Sequence, residues 1–472
     1  MYKKMNLSRL GLFVLLIVIP ISLVFTSCGS KGTPDEIKYL NDFHQAYFME
    51  PDDILEEDNL ALYVDYSTCI SQAMGTDQIP PSNFYMNGMV PPIRDATRTY
   101  WSIKGKNISR ETGDVYTLLR SVTEVNYADL AGAVNKIVSG NTEAVLLTDG
   151  EFYEQTIAKS HVNDPYMAPA IESWLKRGHD IFIFSEPYVE SYRGKQYNKK
   201  RFYFLFTDTR LRDNIFDRVR KNVKFDNYPD VQYYHLTANN PTLMTTNDAF
   251  ESSSTPNELL ECTPEGHGSY EIQDWSLMDW KNIGKYIMEA YDEYTGEPIP
   301  DGEPVIGGLK LDKNFQGGCY RIEDIDLIVS NINEQYTAFV DSLDMGLSAY
   351  QIADIMPIKL SKYDHFLKLD RKEFKDHGNI NIHFDSYNFD PTILDGKPYN
   401  YFRINIVVKS FNNNFSHNPS AESIFEFESI DKDGMINRSI VESIKQAVSK
   451  SDVANMIQGK TIYTIYVRSN KY

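Results

Sequence analysis

The sequence predicts an α/β domain with a doubly wound sheet, followed by an antiparallel, β-rich domain of the sandwich type. Apolar runs at residues 144–147 and 181–184 are separated by a helical stretch, which is typical of a parallel sheet covered on both faces. From residue 402 to 408 alternate positions are apolar, which indicates a strand with one buried face. Because 472 residues exceed what one ordinary core holds, we expect two or three domains.

Composition divides the chain into five parts. Serine, proline and glycine concentrate at residues 252–256 and 264–268, which indicates a boundary, and a helix is predicted over 275–294. The parts are a signal peptide (1–27), a tether and helical lead-in (28–57), the α/β domain (58–249), a linker and helix (250–305) and the β-rich domain (306–472).

Hydrophobic periodicity places the elements inside the two domains. In the α/β domain we expect strands at 60–65, 98–104, 143–148, 180–185, 201–207 and 231–236, and helices at 129–138, 167–177 and 211–223. In the β-rich domain we expect strands at 380–384, 402–408, 424–427 and 462–467, and one helix at 437–448.

The first thirty residues have a basic start and then an apolar run from 10 to 25, which is too short to span a bilayer stably. The run ends in Thr26, Ser27 and Cys28. This segment resembles a bacterial lipoprotein signal. The resemblance implies cleavage before Cys28, a lipid on its thiol, and a place in the cell envelope, namely the outer membrane of a Gram-negative bacterium.

The net charge of the chain indicates whether nucleic acid or an anionic membrane is an expected partner. Residues 1–27 hold three positive charges and no negative ones, so their removal takes the formal net charge from −19 to −22. An acidic surface repels phosphate backbones and anionic headgroups. We therefore expect no nucleic-acid partner, and we expect membrane attachment to come from the lipid anchor.

Cysteine spacing gives no zinc site, because no pair or quartet has zinc-finger spacing. An extracytoplasmic compartment permits disulfides, so Cys262 and Cys319 form a candidate bridge.

Polar side chains follow two of the predicted strands where each strand ends. Asp65 and Ser67 follow the first strand, and Asp149 follows the strand at 143–148. Open α/β folds bind ligands at this carboxyl edge. Carboxylates with a hydroxyl between them form an all-oxygen site suited to a hard cation, so we expect Mg²⁺ or Ca²⁺ there. The alternative is that both aspartates only cap loops and helices.

At these residues the chain resembles the von Willebrand factor type A domain, over roughly residues 58–245. Asp65 and Ser67 match the first part of its metal-ion-dependent adhesion site, and Thr148-Asp149-Gly150 resembles its Thr-Asp-Gly. The resemblance implies a doubly wound sheet and a protein partner whose acidic group completes the shell of the cation. Cys69 stands where the family has a second serine, and a thiol is a poor ligand for a hard cation.

Two other functions stay open. Asp65 with Thr148 also resembles the first motifs of haloacid-dehalogenase-like phosphatases, in which Asp65 would be the nucleophile and Asp208 a late acid. The 32 tyrosines, in runs at 233–234, 399–401 and 463–466, suit a glycan-binding surface. The chain has no Gly-x-Ser-x-Gly elbow, no phosphate-binding Gly-rich loop and no His-Glu-x-x-His motif. Binding is therefore favoured over catalysis.

Overall fold

The computed structural model describes residues 34–48, 54–67, 82–114, 127–154, 159–238, 244–245, 258–260, 270–276, 306–311, 319–362, 367–384 and 399–470. The predicted signal peptide and the cysteines at positions 28, 69 and 262 lie outside these ranges.

The strands of the first region are β1 (Glu56–Asp65), β2 (Thr97–Lys104), β3 (Asn107–Glu111), β4 (Thr142–Thr148), β5 (Tyr153–Glu154), β6 (Lys159–Ser160), β7 (Asp180–Tyr192), β8 (Lys195–Thr207) and β9 (Gln232–Leu236). Those that follow are β10 (Met244–Thr245), β11 (Glu258–Leu260), β12 (Tyr270–Ser276), β13 (Ile306–Leu311), β14 (Tyr320–Asn331), β15 (Ser361–Lys362), β16 (Leu367–Leu369), β17 (Asn379–Phe384), β18 (Tyr399–Asn413), β19 (Phe427–Ser429), β20 (Met435–Asn437) and β21 (Thr461–Asn470).

The helices are α1 (Pro34–Phe48), α2 (Val90–Ala96), α3 (Leu130–Val138), α4 (Ala168–Lys176), α5 (Ile215–Asn222), α6 (Asn333–Asp344), α7 (Ala349–Ile355), α8 (Arg371–His377), α9 (Pro419–Ser423), α10 (Ser439–Val448) and α11 (Ser451–Asn455). A π-helical turn, Phe84–Met89, leads into α2.

The first region is built on a seven-stranded sheet with the order β3-β2-β1-β4-β8-β7-β9. Strand β1 is parallel to both of its neighbours, β2 and β4. Every other pair in the sheet is antiparallel. The predicted α/β class is therefore confirmed, whereas the expectation of a parallel sheet is wrong except for β2, β1 and β4.

A hairpin accounts for the antiparallel half. Strands β7 and β8 are paired along their whole length, from Asp180 with Thr207 to Tyr192 with Lys195. The two residues between them, Arg193 and Gly194, both have positive φ, as a type I′ turn requires. The hydrophobic pattern predicts only two short strands here, at 180–185 and 201–207, and no turn between them. The outer half of the hairpin is missed because its sequence is polar.

Helices cover both faces of the sheet. Helices α2 and α5 pack with one set of apolar strand residues, and α3 and α4 pack with the other set. Local capping fixes where two helices begin: Asp129 accepts the Gly132 N–H at the start of α3, and Asn214 accepts the Asp217 N–H at the start of α5. The three predicted helices are found, with ends shifted by a few residues.

The second region contains a four-stranded antiparallel sheet, β10-β13-β17-β16, and a six-stranded sheet, β11-β12-β21-β18-β14-β15. The six-stranded sheet is antiparallel except between β12 and β21. Its β-rich character matches the expectation, but five helices besides the predicted one lie in the region, so it is not a simple sandwich. The strand predicted at 424–427 begins only at Phe427, and the helix predicted from Trp275 starts inside β12.

Apolar residues of both regions form one cluster. Helix α4 of the first region packs against α10 of the second, and Trp174, Ile440 and Ile404 belong to the same buried set. On the other side of the six-stranded sheet, α1 packs with α6 and α7. The division of the chain at residues 249 and 305 stays a prediction.

Candidate functional site

Asp65 lies at the carboxyl end of β1, next to the end of β4, because Val64 is paired with Leu147. Its side chain is only 1% exposed. One carboxylate oxygen accepts the backbone N–H of Ser67 at 2.7 Å, and the other accepts the hydroxyl of Thr148 at 2.8 Å. The structure therefore brings the ends of the two strands together through the side chain of Asp65.

Asp149 is buried at the same edge, and its Oδ1 accepts the backbone N–H of Glu151 at 3.0 Å. Burial, and then the negative charge of Asp149, raise the pKa of Asp65 to about 7, against the hydrogen bonds from Ser67 and Thr148. The two carboxylates are thus close enough to repel each other, and a bound proton or cation would relieve that repulsion.

The hydroxyl of Ser67 is the third candidate ligand. It is buried and has no hydrogen-bond partner of normal geometry among the described residues, although it helps to lower the pKa of Asp65. Two carboxylates and an open hydroxyl fit a hard cation. Within the described ranges no three Asp, Glu, His or Cys side chains gather as metal ligands, so a cation here depends on Ser67.

Sequence reasoning missed a buried lysine at this edge. Lys199 of β8 is 1% exposed, and its Nζ lies 2.7 Å from Oε2 of Glu151 and 3.9 Å from Oδ2 of Asp149. The hydroxyl of Ser429 donates to Oε1 of Glu151 at 2.5 Å. Burial raises the pKa of Glu151, and the charge of Lys199 opposes that rise. The ammonium group supplies positive charge next to Asp149.

Residues of the second region cover the carboxyl edge of the seven-stranded sheet. Gly150 has a φ of +76°, and a Cβ at this position would lie 2.8 Å from Cδ1 of Ile440 in α10. The Tyr166 hydroxyl donates to the Gly150 carbonyl at 3.3 Å, and the backbone N–H of Met167 donates to the Ser443 hydroxyl at 3.1 Å. Residues from β19 to α10 therefore bury the loop that carries Asp149.

An exposed surface lies beside the covered edge. Thr148 is paired with Phe202, so the outer half of the β7–β8 hairpin projects beyond the end of β4. Lys195 near its tip forms an ion pair with Asp433 in the β19–β20 turn at 2.5 Å. Four large apolar side chains are exposed on these two hairpins, and we call them the hairpin surface: Val189, Tyr192, Met435 and Ile436.

Asp208, the late acid of the phosphatase alternative, lies elsewhere. It follows β8, which runs antiparallel to β4, so it reaches the edge of the sheet opposite to Asp65. There it is buried between His179, at 3.0 Å, and the guanidinium of Arg210, at 2.8 Å. Hydrogen bonds from His179 and Arg210 hold its pKa below the ordinary value against burial. Asp208 cannot assist Asp65.

The other predicted residues have separate outcomes. Cys319 is buried, and burial raises the pKa of its thiol. Cys262 lies outside the described ranges, so the bridge between Cys262 and Cys319 stays a prediction. In the tyrosine runs, Tyr234, Tyr463 and Tyr466 are buried, so these three side chains offer no surface on which a sugar could stack.

Comparison with protein-family models, curated proteins and solved structures found no match for this chain. Among the residues that the structure describes, no helix has the length and apolar character needed to cross a membrane.

Proposed function

We propose that this chain is a lipid-anchored, extracytoplasmic binding protein that engages a protein partner at the carboxyl edge of a von Willebrand A-like sheet. The observation that carries the proposal is the meeting of Asp65, Ser67 and Asp149 at the ends of adjacent parallel strands, with the hairpin surface exposed beside them. The anchor is Cys28, and the location is the cell envelope, at the outer membrane.

We further propose that Mg²⁺ or Ca²⁺ is held by Asp65, Ser67 and Asp149. The cation would use the open hydroxyl of Ser67 and relieve the repulsion between the two carboxylates. Lys199 already places positive charge 3.9 Å from Asp149, so we expect weak affinity. Because the site is buried, the cation would fix the loops at this edge, and the partner would contact the hairpin surface.

Titration calorimetry of the whole mature protein with Mg²⁺, Ca²⁺ and Mn²⁺ tests the cation site. We expect a dissociation constant on the order of 1 mM, as in weak extracellular sites. Asp65→Asn and Asp149→Asn should abolish binding, and Cys69→Ser should tighten it by supplying a further oxygen. Asp433→Asn is the control, since this exposed carboxylate lies in the ion pair with Lys195. A wild type without binding heat, unchanged by Cys69→Ser, would contradict the proposed cation.

A further inference from the structure

We propose that the corner between α6 and α7 is a membrane contact that rests on a zwitterionic phospholipid surface. Three apolar side chains are exposed within six residues: Met345 is 82% exposed, Tyr350 is 67% exposed and Leu347 is 37% exposed. Ten large apolar side chains are exposed in the described part of the chain. Nearly a third of them therefore lie at this one corner, which favours an apolar partner there.

The corner has a defined conformation. Ser348 and Gln351 form a capping box at the start of α7, and Ile352 is fully buried against Leu40 and Phe43 of α1. Gly346 takes the left-handed conformation that the turn needs. The backbone thus holds the three apolar side chains outward, and their exposure is a property of the folded protein.

The corner is also close to the proposed anchor, so this inference rests on the proposed lipidation of Cys28. The Tyr39 hydroxyl in α1 donates to Asp344, next to Met345, at 3.4 Å. The five residues between Cys28 and Pro34 span at most about 20 Å. Tyr39 lies about 8 Å further along α1, and its side chain reaches the corner. The corner therefore lies within roughly 35 Å of Cys28 at the membrane surface.

The negative charge around the corner distinguishes between a second copy of the chain, an anionic membrane and a zwitterionic membrane. Three exposed carboxylates flank the corner: Asp341, Asp344 and Asp354. A second copy of the chain would bring two acidic corners together, and an anionic membrane would repel them. A zwitterionic headgroup layer has no net charge, so it accepts the apolar side chains without that repulsion.

Vesicle flotation of the mature chain from residue 28, carrying Cys28→Ser, tests the corner without any acyl chain. We expect weak binding to phosphatidylcholine vesicles, and about tenfold weaker binding when Met345→Ser is combined with Tyr350→Ser, since each change removes apolar burial. Phosphatidylglycerol in the vesicles should weaken binding at low salt. Ile54→Ser with Tyr233→Ser is the matched control, because both side chains are exposed and lie outside α6, α7 and the hairpin surface, and it should change nothing.

Absence of vesicle binding, or equal losses in the two double variants, would overturn the membrane contact. A dimer in sedimentation that is lost with Tyr350→Ser would also overturn it, by assigning the corner to a second copy. Labelling of the full-length wild type with a palmitate analogue tests Cys28 separately. An unlabelled wild type would refute the anchor, whereas the flotation result would still report on the corner.

Discussion

Lys199→Met should lower the free energy of unfolding by about 3–5 kcal/mol, the usual cost of removing one partner from a buried ion pair. Glu151 would lose the ammonium 2.7 Å from its Oε2 and would stay buried against Ser429. Asp149 would lose the same positive charge at 3.9 Å. Urea denaturation followed by circular dichroism measures this loss.

Two comparisons show whether charge causes the loss. Lys195→Met breaks a pair that is exposed on both sides, so it should cost less than about 1 kcal/mol. Glu151→Gln added to Lys199→Met removes the unpaired charge and should recover part of the stability. If the double variant is no more stable than Lys199→Met, the side chain of Lys199 matters for its packing, and our electrostatic explanation is wrong.

Gly150→Ala should cost about 2–5 kcal/mol. An alanine at a φ of +76° carries strain of about 1–2 kcal/mol. Its Cβ would also lie 2.8 Å from Ile440 and 3.0 Å from Phe202, and such overpacking adds about 1–3 kcal/mol. The same denaturation experiment measures the effect, which reports on how tightly Ile440 of α10 and Phe202 of β8 pack against the loop that carries Asp149.

Gly194→Ala is the control for strain alone. Gly194 has a φ of +79° and open space around its missing Cβ, so only the conformational cost of about 1–2 kcal/mol applies. The difference between the two variants is the packing contribution of the covered edge. Equal losses of unfolding free energy in the two variants would mean that the second region does not pack closely against Gly150.

The sequence predicted the central strands well because their signals are local. Strands β1 and β4 contain the apolar runs 60–64 and 144–147. Asp65 ends β1 and Asp149 follows β4, and the parallel pairing of the strands places Asp65 beside Thr148. The start of α3 was equally readable, since Asp129 caps it. The same local patterns were enough to nominate Asp65, Ser67 and Asp149 as neighbours.

Long-range features could not be predicted in this way. The hairpin of β7 and β8 depends on Arg193 and Gly194 between two polar segments, which carry no strand periodicity. Nothing in the sequence near Lys199 indicates that its ammonium is buried, because that ammonium lies over the ring of Phe427, more than 200 residues later. The covering of the site by the second region is likewise a tertiary property.

The central claim is that a protein partner binds at the hairpin surface, and site-specific photocrosslinking in the cells that make the protein tests it most directly. A photoreactive phenylalanine analogue is placed at Tyr192, which is 43% exposed, and separately at Tyr233 in the edge strand β9, which is 44% exposed. We predict one discrete protein adduct from position 192, lost with Ile436→Asp, and none from position 233. No adduct from position 192, or the same adduct from both positions, would contradict the account.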